Sequence, residues 1–311
     1  MQHLSDIKRI AKNTVFLYIR SILVMVVSIY TSRVILQQLG VDDYGIYNVV
    51  GGVVGMFSMF SATFVFSSQR FLSYSLGRGN LKETREVFSI SIQIHFFLAI
   101  ILFLVIEIIG GWYLSKYMNI PKGRLDAAYI VFHISNLSFG INLLSIPYNA
   151  LIIAKEKMNI FAYVSIFEVF AKLGVVFLLP YSNYDKLILY SSLILLISLS
   201  VRLFYGLYCG RKFPESKIIK VKNKGLYKNF LFFSGWNFLG SGTTILNING
   251  NNLILNYFCG VAINASKGLA TQVQTAVMQL VSNFLTPMKP QIVKSYSVGD
   301  SVYVNTLICS G

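Results

Sequence analysis

Residues 73–77 read SYSLG, and residues 295–299 read SYSVG, the same phrase returning 222 positions later. Other fragments return in the same order. Lys12-Asn13 reappears as Lys228-Asn229, a shift of 216, and Gly40-Val41 as Gly260-Val261, a shift of 220. Shifts that agree this closely indicate a duplicated unit with small differences in its loops. Internal duplication in an apolar chain is the pattern of transporters, whose two halves rock around a shared central site. The second copy breaks off at Gly311, so the expected whole is longer than these 311 residues.

Composition supports a membrane location. Hydrophobic residues make up 55% and charged residues 13%, with mean hydropathy +0.62. Soluble domains carry about 25% charged residues. A crossing helix needs roughly 20 apolar residues, and eight such stretches stand out, at about 13–38, 45–68, 87–111, 127–153, 159–180, 186–208, 229–258 and 262–287. A ninth would begin near Tyr303. The fold expected is an all-α polytopic membrane protein, with eight complete transmembrane helices and the start of a ninth. It divides into a six-helix lobe (1–210), a basic linker (211–228) and an incomplete second lobe (229–311). Six helices per copy is an even number, so the repeat is parallel.

The net charge of +15 resembles that of a nucleic-acid binder until the charges are placed. Eighteen of the 27 basic residues fall on the N-terminal side of the membrane, including Arg70, Lys289 and the run from Arg211 to Lys228. The other side carries only Lys116, Lys122, Arg124 and Lys186. The positive-inside rule therefore sets the N-terminus in the cytoplasm, and no nucleic-acid partner is expected. Cys209, Cys259 and Cys309 have no metal or redox spacing, and His3, His95 and His133 lie far apart. No metal and no bound cofactor are expected.

Five basic residues remain inside the spans: Arg20, Arg33, Lys172, Arg202 and Lys267. A charge at the bilayer centre costs several kcal/mol, so depth decides which need a functional account. Arg20 is the deepest. Asn13, Arg20, Thr31 and Gln38 fall in a stripe only ~40° wide on the helical wheel, which must face either a neighbouring helix or a cavity. Glu168 and Lys172 stand four apart in the favourable order for an ion pair. They either neutralise one another or serve separately, Glu168 exchanging a proton or sodium ion and Lys172 meeting an anion. The seventh span concentrates asparagine and glycine, with Asn237 and Asn251 among them, and the eighth places Lys267 and Gln274 on one stripe. Amides both donate and accept hydrogen bonds, which suits sugar hydroxyls as well as inter-helix packing. No Gly-rich phosphate loop and no catalytic constellation is present, so the chain does not read as an enzyme.

LQQLGVDDYGIYNVVGG at 36–52, SSQRFLSYSLGRGN at 67–80, SKGLATQVQ at 266–274 and PQIVKSYSVGD at 290–300 together resemble the lipid-linked oligosaccharide flippases of bacterial O-antigen, lipopolysaccharide and capsule synthesis. These belong to the multidrug/oligosaccharidyl-lipid/polysaccharide exporter superfamily. The resemblance implies two lobes around a central cavity and transport of undecaprenyl-pyrophosphate-linked repeat units across the inner membrane. It also implies work alongside polysaccharide polymerases and glycosyltransferases. On that reading Arg20 and Lys172 are deep pyrophosphate contacts, Arg33 and Lys267 lie nearer the outer mouth, and Asn237, Asn251 and Gln274 meet sugars. Glu168 is the candidate for proton or sodium coupling. Two rivals remain: a multidrug/cation antiporter of the same fold, which calls for more intramembrane acid, and a non-transporting scaffold, which has no use for polar stripes.

Overall fold

A computed structural model describes the backbone of residues 2–117, 120 and 122–310. Side chains are described over 10–58, 60–116, 123–240 and 281–309, and at Ile120, Gln274, Val277 and Met278. The described chain is helical, without a strand: α1 (Gln2–Gly55), α2 (Ser58–Gly77), α3 (Leu81–Tyr117), α4 (Leu125–Ala154), α5 (Met158–Leu178), α6 (Lys186–Lys212), α7 (Lys224–Ser297) and α8 (Ser301–Ser310), with three short 3-10 turns. Among the described residues, five segments are long and apolar enough to cross a membrane: Ile10–Gly55, Leu81–Lys116, Leu125–Ala154, Met158–Tyr181 and Lys186–Lys212. The expected span 45–68 is divided between the end of α1 and α2. Those at 229–258 and 262–287 fall largely outside the described side chains.

Two runs are too long for one crossing, since 1.5 Å per residue makes a 54-residue helix ~80 Å long against ~30 Å of hydrocarbon. In α1 the break is Gly40, at φ 79 and ψ 172, a conformation costly for any residue with a Cβ. Val34 and Ile35 before it share an apolar cluster with Tyr44 and Tyr47 after it, packed on Val175, Val176 and Tyr190. The chain thus folds back on itself at Gly40. In α7, Phe233 and Asn237 near one end line the same cavity as Lys289 and Val293 near the other, so this run also doubles back.

Packing follows lipid rules. Ser67, Ser68, Ser89 and Ser91 on α2 and α3 have no exposure, and the Ser68 and Ser91 hydroxyls meet at 2.8 Å. Small residues let the two backbones approach where no hydrophobic effect drives helices together. Outward, α3 shows Phe97, Ile101, Leu104 and Ile108, each more than half exposed, a single stripe at helical spacing for lipid contact.

The two ends of the bundle are fastened differently. At one, Arg124 forks onto Asp43 (Nε to Oδ1 2.7 Å, Nη2 to Oδ2 2.5 Å) and also pairs with Asp185. Asp185 accepts from the Leu187 and Ile188 amides as the cap of α6. The Arg124 guanidinium holds the Asp185 carboxyl below its usual range, and the carboxylates raise Arg124. At the other end, Glu156 turns α4 into α5 at φ 59 and is buried. Gln291 Nε2 donates to its Oε2 at 2.7 Å, Lys294 pairs with Oε1, and Asn13 Nδ2 donates to its carbonyl at 3.1 Å. This cluster joins the N-terminal helices to α7.

The repeated phrase folds alike in both places. Ser75 Oγ donates to Leu72 O and Ser297 Oγ to Lys294 O. Each helix then ends at a glycine with positive φ, Gly79 and Gly299. Asn80 and Asp300 follow as caps, accepting from the amides of Glu83 and Tyr303. The second turn is two residues shorter, so Gly299 does the work of Gly79 although the phrase aligns it with Gly77.

Candidate functional site

Leu17 on α1 is buried against Ile153 and Met158, which fixes the rotation of the helix and carries Arg20, nearly a turn later, into the interior. There Arg20 borders a cavity of about 250 Å³ with Gln69 of α2, Asn149 of α4, Phe161 of α5, and Asn283 and Lys289 of α7. A second cavity, about 420 Å³, shares Gln69 and Lys289 and adds Arg70, Asn237, Phe66 and Phe233. Pro287 and Pro290 interrupt α7 here. Proline has no N–H, so each withholds the usual helical donation from the carbonyl four residues back, Asn283 and Thr286. Irregular backbone of this kind is tolerated at membrane depth where it borders a cavity.

The charges that line the two cavities, among the described residues, are Arg20, Arg70 and Lys289; the acid Glu168 attracts Arg20 from outside the lining. Each cation is covered by an aromatic ring: Arg20 lies 4.5 Å from the centroid of Phe161, Arg70 4.0 Å from Phe233 and Lys289 5.6 Å from Phe66. Such contacts contribute ~2 kcal/mol when desolvated, less than the cost of leaving a cation bare in hydrocarbon. Polar atoms are also left over. Arg20 Nε, Asn237 Nδ2 and Asn149 Oδ1 are buried without a hydrogen-bond partner. Two unmatched donors and one unmatched acceptor around a cationic hollow suit a ligand that is anionic and hydroxyl-bearing.

The α1 stripe divides. Asn13 bonds to protein, Thr31 Oγ1 turns back to Val27 O at 2.6 Å, and only Arg20 reaches the cavity. Asn237 lines the second cavity as the sequence suggested. Lys172 does not border either; its Nζ sits 2.6 Å from Glu168 Oε1. Arg33 and Gln274 are exposed and lie apart from the lining, while Lys267 and Asn251 fall outside the described residues. Arg70, Lys289, Gln69 and Asn149 were not read as site residues from the sequence; Asn283 was seen there as part of a polar stripe of the eighth span with Gln272 and Gln279. Arg70 was read as lying beyond a span ending at residue 68, but α2 runs on to Gly77, which sets Arg70 two turns inside. The missed signal is QR before the repeated phrase and the MKPQ stretch before its echo.

Similar folds are known. A multidrug-resistance MATE transporter of the MOP superfamily, solved facing outward, superposes with a TM-score of 0.81 at 12% identity, covering 96% of this chain and 67% of that one. A mutant of the Vibrio cholerae MATE transporter VcmN gives 0.77 at 13%, covering 98% and 69%. A MOP-superfamily transporter from Pyrococcus furiosus, described as having a binding pocket of reverse polarity, gives 0.76 at 12%, covering 95% and 67%. The chain thus spans about two thirds of the length of these structures. No curated protein matches it. The family described as polysaccharide biosynthesis protein matches residues 8–294. A multi-pass helical chain with the MOP-transporter fold, matched over nearly its whole length, belongs to that polysaccharide biosynthesis family.

Proposed function

We propose that this protein carries lipid-linked oligosaccharides, an undecaprenyl-pyrophosphate anchor with a sugar repeat unit, across the bacterial inner membrane for surface polysaccharide synthesis. One observation supports the reading: the Nε of half-buried Arg20 is enclosed and unmatched, beside cavities whose lining charges, among the described residues, are Arg20, Arg70 and Lys289. A pyrophosphate supplies the anion such a hollow lacks, and the arginine forks match its oxygens. The amides of Asn149 and Asn237 take sugar hydroxyls. The lipid tail stays in the bilayer while the N-terminal helices and α7 with its continuation move against each other as two lobes, the N-terminus facing the cytoplasm. Proton or sodium exchange at Glu168 would drive the cycle.

The test is ligand retention by native mass spectrometry of the protein in nanodiscs containing undecaprenyl pyrophosphate. Wild type is expected to hold the lipid, Arg20→Lys to hold it less, and Arg20→Gln to lose it. Equal retention by Arg20→Gln overturns the reading. The antiporter alternative expects a cationic drug to be retained instead, which three cavity cations oppose.

A further inference from the structure

The segment joining α6 to α7, residues 211–228, carries seven basic residues: Arg211, Lys212, Lys217, Lys220, Lys222, Lys224 and Lys228. All seven are exposed. Its one acid, Glu215, is turned inward, with Lys155 Nζ 2.6 Å from its Oε1, and buried. The segment therefore presents positive charge alone.

It is also held in place. Arg85 Nε of α3 donates to Pro214 O at 2.9 Å, and the Ile219 amide donates to Ser89 Oγ of α3 at 2.9 Å. Residues 217–223 have no helical structure, and the side chains of 219–222 alternate. Ile219 and Val221 are partly buried, Val221 against the cluster of Ile90 and Phe230, while Lys220 and Lys222 point away. Period two is the pattern of extended chain lying on a surface.

Its depth gives the surface a meaning. Lys82, Glu83, Arg85 and Glu86 occupy the first turns of α3, and an uncharged run begins at Val87. Ser89, where the segment is pinned, lies just beyond that boundary. Of the α3 acids, Glu83 faces Arg78 at 3.7 Å and Glu86 is partly buried. The lysines thus project from a fixed extended segment beside the charged-to-apolar boundary of α3, the height expected for lipid headgroups.

We propose that this extended segment is a binding surface for the anionic phospholipid headgroups of the leaflet it lies in. Lys217, Lys220, Lys222 and Lys224 are the contacts, and Ile218, 60% exposed, rests on the acyl boundary beside them. The surface is separate from the cavity and independent of what the cavity carries.

The experiment uses the full chain in nanodiscs of equal parts phosphatidylglycerol and phosphatidylcholine, with lipids retained after release counted by native mass spectrometry. Wild type is expected to retain phosphatidylglycerol in preference. The variant Lys217→Gln/Lys220→Gln/Lys222→Gln/Lys224→Gln is expected to lose that preference by about tenfold or more, since each basic residue beside an anionic surface contributes roughly fivefold. The corresponding four-arginine variant is expected to keep it, and Lys116→Gln, at the opposite end, to leave it unchanged. Thermal midpoints in phosphatidylcholine alone identify any variant that has failed to fold; the arginine variant then serves against an Ile218→Ser change, which is expected to weaken retention. No preference in wild type, or equal loss in Lys116→Gln, overturns the proposal. So does a surface that binds added inorganic polyphosphate but not phosphatidylglycerol, which would assign it to a soluble polyanion.

Discussion

Gly77 abuts Ser297 so closely that a Cβ added to Gly77 would fall within the contact shell of Ser297 Oγ, and 2.7 Å from Lys294 Cα. The two copies of the repeated phrase therefore touch each other, beside the cluster that Gln291 and Lys294 make on Glu156. Gly77→Val is expected to force this junction apart, because backbone atoms of Lys294 cannot give way as a side chain can. The added bulk should cost about 1–3 kcal/mol in the closed arrangement. Thiol labelling of Ser297→Cys checks it: labelling should rise severalfold in the Gly77→Val background, and an unchanged rate would show that the junction does not govern access.

The Arg124 cluster has a definite pH signature. Asp185 has a folded pKa below its unfolded value, held there by Arg124. Its contribution to stability is therefore present above the unfolded value, about pH 4, and lost as pH falls through the folded one. In Arg124→Ala, Asp185 keeps the Leu187 and Ile188 amides but loses the cation, so its pKa should move back up towards the ordinary carboxylate value. The acid-side loss of stability should then be smaller in the variant than in wild type. Thermal midpoints from about pH 6 down to about pH 2 should show wild type flat and then falling, and the variant lower at neutral pH but falling less.

Glu168 and Lys172 form their pair inside a membrane helix, so removing one leaves the other without its ion-pair partner. Lys172→Met is expected to cost about 3 kcal/mol, the scale for a lone charge near a helix centre. The double change Glu168→Gln/Lys172→Met should restore stability. Transport separates the two roles: a stable double variant that still transports shows mutual neutralisation, and one that is stable but inert supports coupling at Glu168.

A Cβ on Gly110 would sit 2.6 Å from the ring of Phe132, which is wholly buried. Phe132→Ala should cost about 3–5 kcal/mol through its cavity. Gly110→Ala alone should cost about 1–3 kcal/mol by overpacking. Together they should cost less than their sum, since the new methyl enters the space the ring vacates. Denaturant unfolding in matched micelles reads the shortfall.

Much of this was legible in one sequence, and the reasons differ from place to place. Apolar runs of bilayer length show the membrane class whatever the tertiary detail. A turn after the first span was visible as the gap between the apolar runs 13–38 and 45–68, and the break at Gly40 falls in it. Arg20 was visible because a cation that deep has few uses. Arg70 and Lys289 were not, since apolar length alone marks where a span ends. A helix continuing through two more turns behind an aromatic cover looks the same as a loop. The cavity itself is made where both ends of α7 meet α1 and α2, and no local pattern states which helices meet. Lys172 shows the converse: its charge and its partner four residues away were both legible, and the structure pairs them without bringing Lys172 to either cavity.

The contrast between the two fastened ends has a practical consequence for spectroscopy. Asp43, Arg124 and Asp185 all belong to the first six helices, so under the proposed two-lobe motion a pair of spin labels near them is expected to keep one distance. A pair bridging Gly77 and Ser297 changes distance whenever the two units separate. Measured on one molecule, the first pair is an internal ruler and the second a reporter, and their ratio reads the working cycle free of unfolding.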